Sequence, residues 1–167
     1  FTAAFNRIEA TNLQPADEIR YYPPSFAQER FWNYRHLGSF YYLPNYFHLE
    51  GKLNIAILEK SFNEIIRRHE ILRTKLEEIN GSLRQVVYPN TKIALEIIDL
   101  RNRSEVEQQQ EIERITAEKI KKQVFLDKDP WLFVNLLQLS ETSHILLIGL
   151  HMMLANEQSS EILMPAE

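Results

Sequence analysis

An imidazole at the end of an apolar run is the feature of this sequence best suited to acid–base chemistry. His151 directly follows the run Ile145–Leu150 and opens the segment His151-Met152-Met153-Leu154-Ala155-Asn156-Glu157. Such a histidine works as a general base when its pKa stays near working pH and a ring nitrogen can reach substrate. The same position also suits a core histidine with its hydrogen bonds met. Cysteine is absent, so thiolate nucleophiles and disulfides are excluded. His144 and His151 are seven positions apart on one strand-like run, so they face opposite ways and form no metal pair. No other cluster has metal-ligand spacing. The four glycines are scattered and build no phosphate-binding loop. A Ser-His-Asp triad stays open, although no nucleophile elbow is present.

The elements that must position His151 can be read from periodicity and punctuation. Trp131–Leu139 and His144–Leu150 are dense apolar runs, the pattern of central strands buried on both faces. Asn45–Glu50 alternates as a strand, and so do Leu72, Thr74 and Leu76 against Arg73, Lys75 and Glu77. Asn80-Gly81 predicts a hairpin turn, with Leu83–Tyr88 as the returning strand. Leu95–Ile98 reads as one further short strand. Ser25 can cap a helix from Phe26 to about Tyr34, burying Phe26, Phe31 and Trp32. Asn54 caps a helix to about His69, with Ile55, Leu58, Phe62, Ile65 and Ile66 on the buried face. Ser104-Glu105-Val106-Glu107 is a capping box that opens the longest helix, to about Phe125. Val106, Ile112, Ile115, Ile120 and Val124 are expected inward. Another helix is expected to begin at Ser159. Helices and strands mix without strict alternation, which predicts an α+β fold built on a mixed sheet. Residues 45–50, 71–79, 131–139 and 144–150 are expected in one sheet, with helices 55–68 and 104–125 on one of its faces.

Composition narrows the class. The chain has 167 residues, 44% of them hydrophobic and 25% charged, the profile of a globular domain with a core. A net charge of -4 gives no basic footprint for nucleic acid or for an anionic membrane surface. The longest apolar run is far short of a membrane span. No signal peptide is expected, and the lack of cysteine fits a cytoplasmic setting. Residues 1–24 read as a linker or lead-in, punctuated by Pro15, Pro23 and Pro24, and residues 25–167 as one domain. The start at Phe1 and the end soon after an apolar run both suggest a piece of a longer polypeptide.

Three segments, in order, resemble the sequence motifs of condensation domains of nonribosomal peptide synthetases. Ser25-Phe26-Ala27-Gln28-Glu29-Arg30-Phe31-Trp32 is similar to S-x-A-Q-x-R-L-W. Arg68-His69-Glu70-Ile71-Leu72-Arg73-Thr74-Lys75-Leu76 is similar to R-H-E-x-L-R-T-x-F. The third should read H-H-x-x-x-D-G and here begins at His151, with Met152 for the second His, Asn156 for Asp and Glu157 for Gly. The resemblance implies the N-terminal lobe of a chloramphenicol acetyltransferase-like fold. It implies that Ser25, Gln28, Arg30, Trp32, Arg68, His69, Glu70, Arg73 and Thr74 are mainly scaffold, and that the family Asp pairs with the Arg at Arg73.

In the family, the second His of the third motif acts as base or positions the attacking amine, in a channel between two lobes. Met152 offers a thioether, which cannot take a proton. Asn156 carries no charge, and Glu157 resists a turn that glycine permits. No catalytic residue is therefore expected, and His151 corresponds to the structural first His. The resemblance implies no directly bound cofactor and phosphopantetheine only on a partner carrier domain. Expected partners are an adenylation or peptidyl carrier domain, or a second copy docked on an apolar edge at Met152, Met153 and Leu154. The alternative expectation is one half of an active amide-forming acyltransferase, completed by a second lobe.

Overall fold

The computed structural model describes residues 18–34, 42–121, 130–151 and 153. The two dense apolar runs form its centre. They become β6 (Leu132–Gln138) and β7 (Ser143–His151), paired antiparallel. β7 also pairs antiparallel with β2 (Tyr42–Glu50), and β6 pairs parallel with β5 (Glu96–Asp99). The resulting sheet has the order β2-β7-β6-β5. Pro44 lies on β2 at the sheet edge, where its missing N–H costs no ladder bond. A parallel pair needs a crossover, and α3 (Glu105–Lys121) supplies it between β5 and β6.

Alternation along β6 and β7 sends successive side chains to opposite faces. Leu132, Val134, Leu136, Leu146 and Leu150 pack with Ile66 of α2 (Ile55–Arg68). Leu137 and Leu147 pack with Ile112 and Ile115 of α3. The two long helices therefore cover opposite faces of the sheet. This corrects the expectation that both lie on one face. Strands apolar on both sides need cover on both sides, so the density of the two runs already demanded a three-layer arrangement.

A second correction concerns β3 (Thr74–Ile79). It does not join the central sheet. It pairs with β4 (Ser82–Val87), and β1 (Arg20–Tyr22) pairs with the other side of β4, giving a separate sheet ordered β1-β4-β3. Residues 70–73 form a 3-10 turn rather than extended strand. Period-two alternation identifies a strand but does not choose its sheet. β1 lies inside the expected lead-in; three residues are too few to show a period, and the edge of β4 supplies their hydrogen bonds. Trp32, Leu76 and Trp131 form one buried cluster that joins this sheet to the start of β6.

Local signals mark the element ends. Asn80 (φ 51°) and Gly81 (φ 74°) both take left-handed backbone, as a two-residue type I′ hairpin turn requires. Gly81→Ala is expected to cost about 1 kcal/mol, because a Cβ there meets open space but pays the left-handed penalty. Urea denaturation of the variant measures it, and Asn80→Gly serves as the near-neutral control. At α2 the Asn54 Oδ1 accepts the Ile57 N–H at 3.0 Å. At α3 the Ser104 N–H donates to the Glu107 carboxylate at 2.8 Å while Ser104 Oγ accepts from the Glu107 N–H, the reciprocal capping box.

Some expected inward positions face solvent. Phe26 is 92% exposed at the first position of α1 (Phe26–Tyr34), and Ile65 and Val106 are exposed on α2 and α3. The side chain of Ile120, together with Phe40, Tyr41, Val124, Phe125 and the expected helix from Ser159, lies outside the described residues.

Candidate functional site

His151 ends β7, opposite Tyr42 on β2. Its N–H donates to the Trp131 carbonyl at 2.8 Å, which holds the strand end against the entry to β6. The imidazole is fully buried. Tyr42 stands edge-on to it at 6.0 Å between centroids, and Trp131 lies at 6.3 Å on a tilted plane. The Tyr42 hydroxyl donates to the Pro130 carbonyl at 2.6 Å and so holds one wall of this cage.

The hydrogen bonds choose the tautomer. The Met153 N–H donates to His151 Nδ1 at 3.2 Å, so Nδ1 carries the lone pair and Nε2 the proton. Burial favours the uncharged ring and pushes its pKa down to about 4. The one basic atom of this imidazole is therefore engaged with backbone, out of reach of solvent, and weakly basic. In the structure it ties the end of β7 to the entry of β6 and to the Met153 backbone.

Met152, Leu154, Asn156 and Glu157 lie outside the described residues. Met153 is half-buried and packs on the cluster of Trp32, Leu76 and Trp131. It fills a seam between elements, so the expected apolar docking edge loses Met153. A flexible thioether suits such an irregular gap between two indoles and a leucine.

The second motif ties the small sheet together. The Arg73 side chain is only 2% exposed; its Nη1 donates to the Tyr88 carbonyl at 3.0 Å and its Nη2 to Glu70 Oε1 at 3.2 Å. Arg20 on β1 pairs with the same Glu70 oxygen. Thr74 Oγ1 donates to the Glu70 carbonyl at 2.8 Å. Burial first, and the nearby Arg20 charge second, push the Arg73 pKa down. Arg68 donates to Glu64 Oε1 at 2.8 Å on the surface of α2. His69 is exposed, and its N–H closes the helix on the Ile65 carbonyl at 3.0 Å. Arg20 was missed as a partner because a single arginine in a short strand carries no local signal.

The first motif is also built into packing. Gln28 N–H donates to Ser25 Oγ at 3.2 Å and Ser25 N–H to Gln28 Oε1 at 2.8 Å, a capping box with glutamine. Gln28 Nε2 reaches Gln85 Oε1 on β4 at 3.2 Å, and Gln85 Nε2 donates to the Pro23 carbonyl at 2.8 Å. Trp32 is buried and Arg30 exposed. The three motifs thus converge on one seam: Trp32 from the first, Leu76 at the end of the second, Met153 in the third, all against Trp131. Trp131 and Tyr42, which frame the imidazole, belong to none of the motifs. His144 lies on the opposite face of β7, buried beside the start of the 140s turn, and no group of metal-ligating side chains occurs among the described residues. No helix among them is long and apolar enough to cross a membrane.

Comparison with known proteins agrees with this geometry. The sequence model of the condensation domain matches residues 18–166. Gramicidin S synthase 2 of Aneurinibacillus migulanus is 35% identical over 156 residues, covering 91% of this chain and 3% of the relative. Bacitracin synthase 1 of Bacillus licheniformis is 32% identical over 158 residues, 91% of this chain and 3% of the relative. The chain therefore spans only a few per cent of the length of these relatives. Among solved structures, the starter condensation domain of a rhizomide synthetase superposes with a TM-score of 0.76 at 18% identity, covering 86% of this chain and 35% of that one. The X-domain from teicoplanin biosynthesis superposes with a TM-score of 0.67 at 23% identity, covering 78% of this chain and 28% of that one.

Proposed function

The chain belongs to the condensation domain family of nonribosomal-peptide-synthetase-like proteins, and from that premise we propose that it is a condensation-like lobe that scaffolds rather than catalyses. In this reading it sits in a cytoplasmic assembly line as a structural or docking element beside an adenylation or peptidyl carrier domain. Phosphopantetheine would reach it only on such a carrier.

The observation that carries the reading is the state of the motif's one imidazole. Amide formation needs a group that accepts or steers a proton as the amine attacks the thioester. At the position of the family's base stands Met152, which has no proton-accepting nitrogen. His151 cannot deputise. Its ring is fully buried, its Nδ1 is bonded to the Met153 N–H, and its pKa is pushed to about 4. Released from that bond it would still face the cost of charging a ring in an apolar cage.

The alternative is one half of an active domain. The intact sheet and the register that carries β7 to His151 favour it, since the scaffold of a working lobe is present. A single assay separates the two. The purified chain is supplied with a donor and an acceptor aminoacyl thioester on carrier domains, and products are read by mass spectrometry. No amide above the uncatalysed background is expected. Met152→His alone is expected to restore none, because the tested chain spans about a third of the condensation-domain chain it superposes on and so offers one wall of a channel. Condensation by the unmodified chain overturns the proposal. Activity that appears only when Met152→His is combined with the remainder of the fold supports the half-domain reading instead.

A further inference from the structure

We propose that Asn80 is a self-modification site. The Gly81 backbone nitrogen attacks the Asn80 side-chain amide in the folded protein, and the tip of the β3–β4 hairpin becomes aspartyl or isoaspartyl. Asn80 and Gly81 are both exposed. The register closes on Ile79 and Ser82, so the two tip residues stand outside the hydrogen-bonded ladder. A Cβ built on Gly81 would meet no other group within 4 Å, so the space beside its backbone is open. Glycine also lacks the side chain that, in every other residue, shields the amide nitrogen from an approaching carbonyl carbon. The sequence holds no second Asn-Gly pair; each other asparagine precedes a residue with a Cβ. The site goes beyond the scaffold role proposed above and does not rest on it.

The turn itself selects the reacting pair. A two-residue type I′ loop needs left-handed backbone at both positions, and Asn80 (φ 51°) followed by Gly81 (φ 74°) meets that need with little strain. The same choice sets an amide side chain next to an unhindered backbone nitrogen. The Gly81 N–H gives its proton to hydroxide, and the nitrogen bonds to Asn80 Cγ. The Cγ–Nδ2 bond then breaks, and ammonia leaves with a proton taken from water. A cyclic imide remains. Water opens it at Cγ to give aspartate, or at the backbone carbonyl to give isoaspartate. Ring closure needs Asn80 to rotate out of its turn conformation, and a hairpin tip opens locally at far less cost than the whole fold. Isoaspartate adds an atom to the backbone of a loop whose length fixes the strand register. That register places Leu76 opposite Gln85, and Leu76 is buried against Trp32 and Trp131.

The test incubates the folded chain at mildly alkaline pH and follows each asparagine by peptide mass spectrometry, with aspartate and isoaspartate separated by chromatography. Asn90 and Asn102 are the internal controls, since both are exposed in turns and neither precedes glycine. Asn80 is expected to convert many times faster than either. Asn80→Asp marks one product. Urea below the unfolding transition raises the unfolded fraction steeply and a small local opening hardly at all, because the effect scales with the surface exposed. The rate at Asn80 is therefore expected to stay flat across that range. The isolated isoaspartyl form is expected to melt below both the parent and Asn80→Asp. Conversion at Asn80 no faster than at Asn90 and Asn102 overturns the proposal. So does a rate that climbs with the unfolded fraction in urea, because the reaction would then belong to the unfolded chain. An isoaspartyl form that melts with Asn80→Asp overturns the register part.

Discussion

Gly149→Ala is expected to lower the stability of the fold by about 2 kcal/mol. Gly149 on β7 faces Phe133 on β6 across the antiparallel register, and the phenyl ring lies directly over it. A Cβ at this position would stand 2.0 Å from Phe133 Cε1 and 2.3 Å from Cζ. Two opposing terms decide the sign. Alanine is better than glycine in a strand interior by about 0.5–1 kcal/mol. Overpacking a filled position costs about 1–3 kcal/mol, and a separation this short lies at the upper end. The ring can relieve the clash by swinging away. It would then leave Tyr42, which it meets edge-on at 4.8 Å, and the Lys119 ammonium, which lies 5.6 Å from its centroid. An aromatic pair of that kind is worth about 0.5–1.5 kcal/mol beyond its buried area, so neither route is free. Urea denaturation of Gly149→Ala, Phe133→Ala and the double variant checks the cause. With the ring removed, the added methyl should cost nothing further, and the cycle should show strong coupling. A Gly149→Ala variant as stable as the parent would mean that the ring does not occupy that space.

What was legible in the sequence is what depends on neighbours in the chain. Ser25, Asn54 and Ser104 cap their helices, and Asn80-Gly81 turns its hairpin, because each signal is satisfied within four residues. The α+β class and the two central strands followed from the same local patterns. The arrangement of layers did not. β3 and β6 both alternate or run apolar, yet they belong to different sheets, and only their partners β4 and β7 decide that. Arg73 was expected to meet the motif carboxylate, which here is Asn156, outside the described residues. Its observed acidic partner is Glu70, shared with Arg20 from a strand too short to read. The motif resemblance gives His151 a structural place, but the burial of its ring comes from Tyr42 and Trp131, distant in sequence and brought together by the register of three strands. The candidate site is thus legible as a motif and illegible as an environment.

That environment has a consequence for the pH dependence of folding. His151 titrates at about 4 in the folded chain, against an ordinary value of 6.5 once it is exposed by unfolding. Between those values the unfolded chain binds a proton that the folded chain refuses. Stability therefore rises with pH across this window and falls as acid is added. Above about pH 6.5 both states are neutral at this site and nothing changes. Below about pH 4 both bind the proton and the loss is complete, at about 3 kcal/mol. Carboxylates held low by arginine, such as Glu64 and Asp99 at about 2, begin to lose their contribution only nearer the acid end. Between about pH 7 and about pH 5 the difference between the parent and a His151 variant therefore reads this imidazole. Urea denaturation across this range should show the chain losing stability, while His151→Asn, whose Oδ1 sits near the place of Nδ1 and can still accept the Met153 N–H, should show a shallower response from a lower starting point. Nitrogen chemical shifts of the ring provide a second reading, with the proton expected on Nε2. A pH slope unchanged by His151→Asn would mean that folding leaves the proton affinity of the ring as it is in the open chain. The argument that burial silences this imidazole would then lose its support.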